Sequence, residues 1–310
     1  MKIILVSIIF LILFSGCVQK SNEFTLMHDG IERTYLLYVP SDYNAVNAYP
    51  LLVVFHGGGE NAQTMERKTR FSDLAEKEKF IAVYPNGIGF LGDKVLSWNS
   101  GYLKSYASEK NADDVAYTKM LIEKISSEYN INPDMVYAAG HSNGAMMAYR
   151  VGAELSDKFA VIASVSGSIG GSESENAPTY IIPIPEYPVS VIAIHGKKDQ
   201  HVLYEGGKSV LGVGAQRDRV DMAAIDSVDF WAQYNECAEE HNFPFNESET
   251  VFVDDFSLCE GGSEVILYTL ENGDHGWPGA RDGIDGSSNP ELDATYIIWD
   301  FFKNHPKVQK

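Results

Sequence analysis

The chain has 310 residues, 45% of them hydrophobic and 12% aromatic. That is ample material for one large buried core and argues against global disorder. Its 43 Asp and Glu against 24 Lys and Arg leave a formal charge of −19, which argues against nucleic acid or any other polyanion as a partner, because phosphate contacts need a cationic surface. The excess of carboxylates suits a soluble acidic protein acting outside the cell.

The elements follow in chain order. Lys2 precedes an apolar run from Ile3 to Phe14, followed by Ser15-Gly16-Cys17. The run is too short to cross a membrane as a helix and reads as the core of a signal peptide covering residues 1–16. Small residues directly before Cys17 resemble a lipoprotein processing site, with Cys17 as the lipidated first residue; the alternative is an ordinary secretory signal. A lipid there would be the only membrane contact expected. Residues 17–29 form a polar tether, and residues 30–310 a single catalytic domain.

Strands are predicted at Thr34–Val39, Leu51–Phe55, Phe80–Tyr84, Met135–Ala139, Ala160–Val165, Val189–His195 and Val265–Leu270. Their near-continuous Val, Ile, Leu and Ala content implies strands covered on both faces, as in a mostly parallel sheet. Helices are predicted between them at Gln63–Lys79, Asp113–Tyr129, Ala145–Leu155, Ala223–Asn235 and Ala294–Asn304. Asp113 and Asp114 stand at a helix start before an apolar stripe, where the backbone dipole favours acids. The alternation predicts one doubly wound α/β domain. Residues 86–112, 167–188 and 238–262 show no periodicity and read as loops. Gathered beyond the carboxyl ends of the strands, they would wall a substrate cleft. With Cys17 lipidated or removed, Cys237 and Cys259 remain as an even pair, bridged in an oxidising compartment or left as buried thiols in a reducing one.

The chemistry concentrates in Gly140-His141-Ser142-Asn143-Gly144, between a strand-like Met135–Ala139 and a helix-like Ala145–Arg150. Serine flanked by glycines at a strand-to-helix turn is the signature of a nucleophile held on a strained elbow. Serine needs a base to take its proton, and the base needs an orienting carboxylate. Asp199 lies just past the strand ending at His195, and His275 follows the strand Val265–Leu270, in the order Ser…Asp…His. His56, His195 and His201 compete as base, but none of the three occupies the last βα loop, where the base belongs; Asp274, Asp226 and Glu205 are the alternatives to Asp199 as acid. Leu51–Phe55 feeds His56-Gly57-Gly58-Gly59, a loop suited to donate an N–H to an oxyanion, with Gly58 and Asn143 as the donors. Trp98, Trp277 and Tyr102 are candidates for an aromatic platform under a sugar, a phenolic acyl group or a polyester; plain packing is the alternative. No His, Cys or Asp spacing suggests a metal site.

Taken together, His56-Gly-Gly-Gly-Glu-Asn61, Gly140–Arg150, His195-Gly-Lys-Lys-Asp199 and Asp274-His-Gly-Trp-Pro-Gly279 resemble the extracellular polyhydroxybutyrate depolymerase, feruloyl esterase and acetylxylan esterase group of α/β hydrolases. The resemblance covers most of residues 30–305. It implies an α/β-hydrolase fold, a cofactor-free serine esterase, and a triad of Ser142, Asp199 and His275. It also implies a bridge between Cys237 and Cys259, and a polyester or acylated polysaccharide as substrate. Relatives often carry cysteines after the segment matching Ser97-Trp98-Asn99, whereas Ser100 to Asn111 has none. A serine peptidase and a catalytically silent binding protein on the same scaffold are the rival readings.

Overall fold

Alternating apolar residues on β-strands make two cores, one on each face of a single sheet. The computed structural model describes residues 21–90, 94–209, 218–280 and 291–307; the expected signal peptide and Cys17 lie outside the described residues. The chain opens on a hairpin of β1 (Asn22–His28) and β2 (Ile31–Tyr38), turned by Asp29 and Gly30, both at positive φ. This is the backbone that tight hairpins require. Then follow β3 (Tyr49–Phe55), α1 (Ala62–Thr69), α2 (Phe71–Glu78), β4 (Ile81–Pro85), β5 (Ile88–Phe90), β6 (Val95–Ser97), α3 (Tyr106–Glu109) and α4 (Asp114–Glu128). The central section comprises β7 (Ile131–His141), α5 (Asn143–Glu154), β8 (Val161–Val165), β9 (Gly170–Ser172), β10 (Tyr180–Ile181) and β11 (Ser190–Gly196). The chain continues through β12 (Gly207–Lys208), β13 (Val220–Asp221), α6 (Ala224–Tyr234), β14 (Glu239–Pro244), β15 (Val251–Ser257), β16 (Val265–Leu270) and α7 (Ala294–Asn304).

The main sheet runs in the order β1-β2-β4-β3-β7-β8-β11-β16-β15-β14. Its centre, from β4 to β16, is parallel, and antiparallel pairs close both edges. On β3, Leu51, Val53 and Phe55 face the core shared with α4, α5 and α6, while Leu52 and Val54 face the core shared with α1, α2 and α7. Each such fully buried side chain stabilises the fold by roughly 1.5–3 kcal/mol relative to exposure.

Four expectations are revised. The single helix foreseen over residues 63–79 is two helices. Arg70 adopts a left-handed backbone (φ 54°), its N–H caps α1 on the Glu66 carbonyl, and its guanidinium pairs with Asp293 at 2.8 Å. The bend lets Met65 and then Phe71 and Leu74 face the same core. Residues 86–112 hold the β5–β6 hairpin and α3, whose start is closed by a Ser105–Ser108 capping box. Within 167–188, β9 and β10 join β13 and β12 in a small second sheet. Residues 238–262 are mostly the β14–β15 hairpin that extends the main sheet past β16. Its outer strand is exposed along its length and ends on Pro244, a residue tolerated at an edge.

Cys237 and Cys259 form a disulfide at the base of that hairpin. Closing a loop of this size stabilises by about 3 kcal/mol on the chain-entropy account. Cys237→Ser should therefore lower the urea-unfolding free energy by about 3 kcal/mol, measured on the otherwise unaltered chain; an unchanged midpoint and slope would show that the bridge contributes nothing.

Candidate active site

Ser142 occupies the turn between β7 and α5 with φ 55° and ψ −121°, a backbone that an L-residue adopts only under constraint. Its N–H is tied to the Val165 carbonyl at 3.0 Å. The flanking glycines are required by close approach. A Cβ on Gly140 would stand 2.1 Å from the Gly144 carbonyl oxygen, and one on Gly144 would stand 2.3 Å from that of Phe55.

Three chain-distant side chains converge at the carboxyl ends of β7, β11 and β16. His275 Nε2 is 2.9 Å from Ser142 Oγ, and His275 Nδ1 is 2.8 Å from Asp199 Oδ2. Asp199 is buried, and its other oxygen accepts the N–H groups of His201 and Val202 at 2.8 and 2.9 Å. Burial alone would raise its pKa, but hydrogen bonds and charge from His195 and His275 hold it well below the usual carboxylate range. An ionised Asp199 fixes the proton of His275 on Nδ1 and leaves Nε2 free to accept from serine. Asp274, Asp226 and Glu205, the alternative acids, are exposed.

The competing histidines have other work. His56 accepts the Gly87 N–H on Nε2 at 3.0 Å, so its Nδ1 donates to the Gly57 carbonyl at 2.8 Å. His195 lies with Nε2 2.8 Å from the Val202 carbonyl and 3.2 Å from Asp199 Oδ2. His201 is exposed and packs its ring 4.7 Å from that of His275, with His141 at 5.1 Å.

In the loop after β3, the Gly57 N–H is held by Glu60 Oε2, the Gly59 N–H by the Leu96 carbonyl and the Glu60 N–H by the Gly57 carbonyl. The Gly58 N–H has no acceptor among the described residues. Asn143 opens α5, where the first N–H groups have no intrahelical acceptor. A Cβ on Gly58 would lie 3.7 Å from that of Asn143, so the two backbones are neighbours. A pair of N–H groups beside a serine, one at a helix N-terminus, is the arrangement that stabilises a developing oxyanion.

The aromatic platform is not where the sequence placed it. Trp98, Trp277 and Tyr102 are all buried and present no ring face to solvent. Trp98 packs edge-on to Phe55 and donates from Nε1 to the His56 carbonyl at 2.9 Å, while its own N–H is accepted by Asn143 Oδ1 at 2.8 Å. Trp277 packs against Phe71 and donates to Thr295 Oγ1 at 3.1 Å, fastening the His275 loop between α2 and α7. Tyr102 donates to Asp221 at 2.7 Å; Asp221 in turn pairs with Arg219, which holds the His201 carbonyl. Buried indoles and phenols need such partners. Sequence reasoning also missed the buried Lys68 and His141 ring and the half-buried Glu60, which form a polar cluster behind the loop after β3. The only signal was a charged side chain on the core-facing stripe of α1.

A mostly parallel sheet, helices on both faces and a serine elbow at the carboxyl edge define an α/β hydrolase. Residues 29–254 match the family model Esterase, described as "Putative esterase", and the chain belongs to that family. It is 27% identical over 255 residues to feruloyl esterase B of Piromyces equi, an alignment covering 82% of this chain; the chain spans 44% of that relative's length. Feruloyl esterase D of Neurospora crassa is 24% identical, with 93% of this chain and 89% of the relative aligned. Among solved structures, an acetyl xylan esterase from Aspergillus awamori superposes with a TM-score of 0.58 at 15% identity, covering 91% of this chain and 99% of the other, a likeness of fold.

Burial pushes the pKa of His56 down to about 4. Burial, with the nearby charges of Lys68 and His275, likewise holds His141 well below its ordinary value. Between the unfolded histidine value of about 6.5 and about 4, the unfolded chain binds protons that the folded chain refuses. Stability therefore falls as pH falls through this window. His56 alone accounts for ~3 kcal/mol across it. Between pH 7 and 4 the parent should lose about that much more unfolding free energy than His56→Gln; parallel curves would show that His56 titrates normally.

Proposed function

We propose that this chain is an exported serine esterase that cleaves acyl groups from a polysaccharide through an acyl-enzyme. The observation that carries the reading is the hydrogen-bonded series Ser142–His275–Asp199 beside the unengaged N–H groups of Gly58 and Asn143. His275 Nε2 takes the Ser142 proton as Oγ attacks the ester carbonyl, and the resulting oxyanion is held by the two N–H groups. The imidazolium returns its proton to the leaving alcohol as the C–O bond breaks. Water then repeats the sequence on the acyl-enzyme, its proton passing to His275 and back to Ser142, with release of the carboxylic acid. Asp199 stays ionised and stabilises the imidazolium in both halves.

Export is supported by the signal-like residues 1–16 and by the Cys237–Cys259 bridge, at home in an oxidising compartment. A lipid on Cys17 would tether the enzyme at the cell surface. For the substrate, the relatives named as feruloyl and acetylxylan esterases favour an acylated xylan over a polyester. A local feature agrees. The loop after Trp98 opens a cleft of about 420 Å³ whose lining includes Asn99, Lys104, Glu109, Arg150 and Tyr180. Adjoining it, Ser100 Oγ accepts from Asn143 Nδ2 at 3.1 Å. Planar polar groups around one aromatic ring suit a polyhydroxylated chain better than an aliphatic polyester.

Ser142→Ala should reduce kcat/KM on a nitrophenyl acyl ester by at least ~10³-fold, leaving the residual rate that an oxyanion hole gives without a nucleophile. Activity within tenfold of the parent would dismiss Ser142 as nucleophile. Release of ferulate or acetate from xylan should exceed release of hydroxybutyrate from its polyester; the reverse order would transfer the substrate assignment to the polyester.

A further inference from the structure

Lys68 is fully buried in the last turn of α1, yet its side chain ends among polar groups rather than in the apolar core. Its ammonium lies 2.5 Å from Glu60 Oε1 and 3.2 Å from His141 Nδ1. Removing an ammonium from water is costly unless its donors are all met by acceptors. An ammonium has no lone pair, so His141 Nδ1 must supply one. His141 is neutral, and the proton then sits on Nε2, which is 2.6 Å from the carbonyl oxygen of His275. On the other arm, Glu60 Oε2 accepts the Gly57 N–H at 3.1 Å. The packing leaves little slack, because a Cβ on Gly57 would stand 3.2 Å from Glu60 Oε2 and 3.3 Å from His141 Nδ1.

One buried cation therefore joins the oxyanion loop, the residue directly before the nucleophile, and the backbone of the base. We propose that Lys68 is a positioning residue, which sets the tautomer of His141 and so holds the His275 backbone in register with Ser142 and Gly58. If His141 carried its proton on Nδ1 instead, its Nε2 lone pair would face the His275 carbonyl, and the two would repel. Without Lys68, the Nδ1 lone pair of His141 loses its donor, and the His275 carbonyl alone is left to favour the tautomer that donates. The inference rests on the esterase reading for its kinetic consequence, but not for the geometry.

Two measurements test it on the full chain. In protein labelled with ¹⁵N-histidine, His141 should show a protonated Nε2 and a lone pair on Nδ1 across neutral pH. The opposite tautomer, or a doubly protonated ring, would overturn the proposal, and this reading needs neither a variant nor turnover. Lys68→Met keeps the length and apolar stem of the side chain while removing the charge. It should lower kcat by ~10- to 100-fold with KM within about threefold, as expected when the reacting groups are misplaced rather than the substrate lost. It should also raise the share of the Nδ1-protonated tautomer in the His141 signals above that of the parent, because only the His275 carbonyl then opposes it. Unchanged kcat, or a loss confined to KM, would overturn the proposal. If Lys68→Met does not fold, Glu60→Gln, which weakens the hold on the ammonium while retaining an acceptor for Gly57, should show the same kcat loss in smaller measure. If the parent turns over no ester, the esterase reading falls while the tautomer still decides the network.

Discussion

Ser142 keeps a backbone conformation that costs an L-residue about 1–3 kcal/mol, and most of the site's geometry follows from the contacts that enforce it. The first turn of α5 is pressed against the end of β3 so closely that a Cβ on Gly144 would stand 2.3 and 2.5 Å from the carbonyl oxygens of Phe55 and His56. The same approach brings the start of α5, with Asn143, beside Gly58, so the spacing of the two candidate oxyanion donors follows from the contact that strains the serine. The serine elbow and the candidate oxyanion site are one steric arrangement. Its stability is drawn from the two cores that clamp β3 and β7 on either side.

Around that arrangement, histidine is used in two ways. His56 and His195 have ring nitrogens committed to backbone or carboxylate groups, and His141 to a lysine and a carbonyl. His275 alone among the buried or half-buried rings near the serine combines an ionised carboxylate on one nitrogen with a hydroxyl on the other. The base is thus distinguished by what its two nitrogens face, not by residue type. That is why four candidate histidines could be ranked from the sequence only by their place after a strand.

Where the sequence was legible, the reason was local. The parallel strands were visible because each is apolar on both faces, and the elbow because two glycines and a serine must stand at fixed spacing. Arg70 was not legible as a break: nothing in its side chain announces a left-handed backbone, which arises because α1 and α2 both have to meet the sheet. The β14–β15 hairpin was hidden for a related reason. Glu239–Pro244 is exposed along its whole length and so lacks the alternation of a half-buried strand. The buried residues of β15 fall at Val251, Val253 and Phe256, breaking the two-residue period. Trp98 and Trp277 were misread because an aromatic residue near a motif looks the same in sequence whether it faces a ligand or fastens a loop.

That misreading has a consequence for how the site recognises anything. Trp98 ties the oxyanion side to the core through the His56 carbonyl and Asn143, Trp277 ties the base loop to α7, Tyr102 ties its loop to Asp221 of the second sheet, and Arg219, paired with Asp221, reaches the acid loop at the His201 carbonyl. Large buried side chains are spent on holding donors and acceptors still, and fixed dipoles act on a developing charge without reorganising. Recognition of the acyl and alcohol portions must then fall to smaller and more polar side chains on the loops, such as those of residues 99–111. Exposed side chains on these loops can change while the triad stays fixed, provided that Ser100 and Tyr102, which are tied inward to Asn143 and Asp221, are kept.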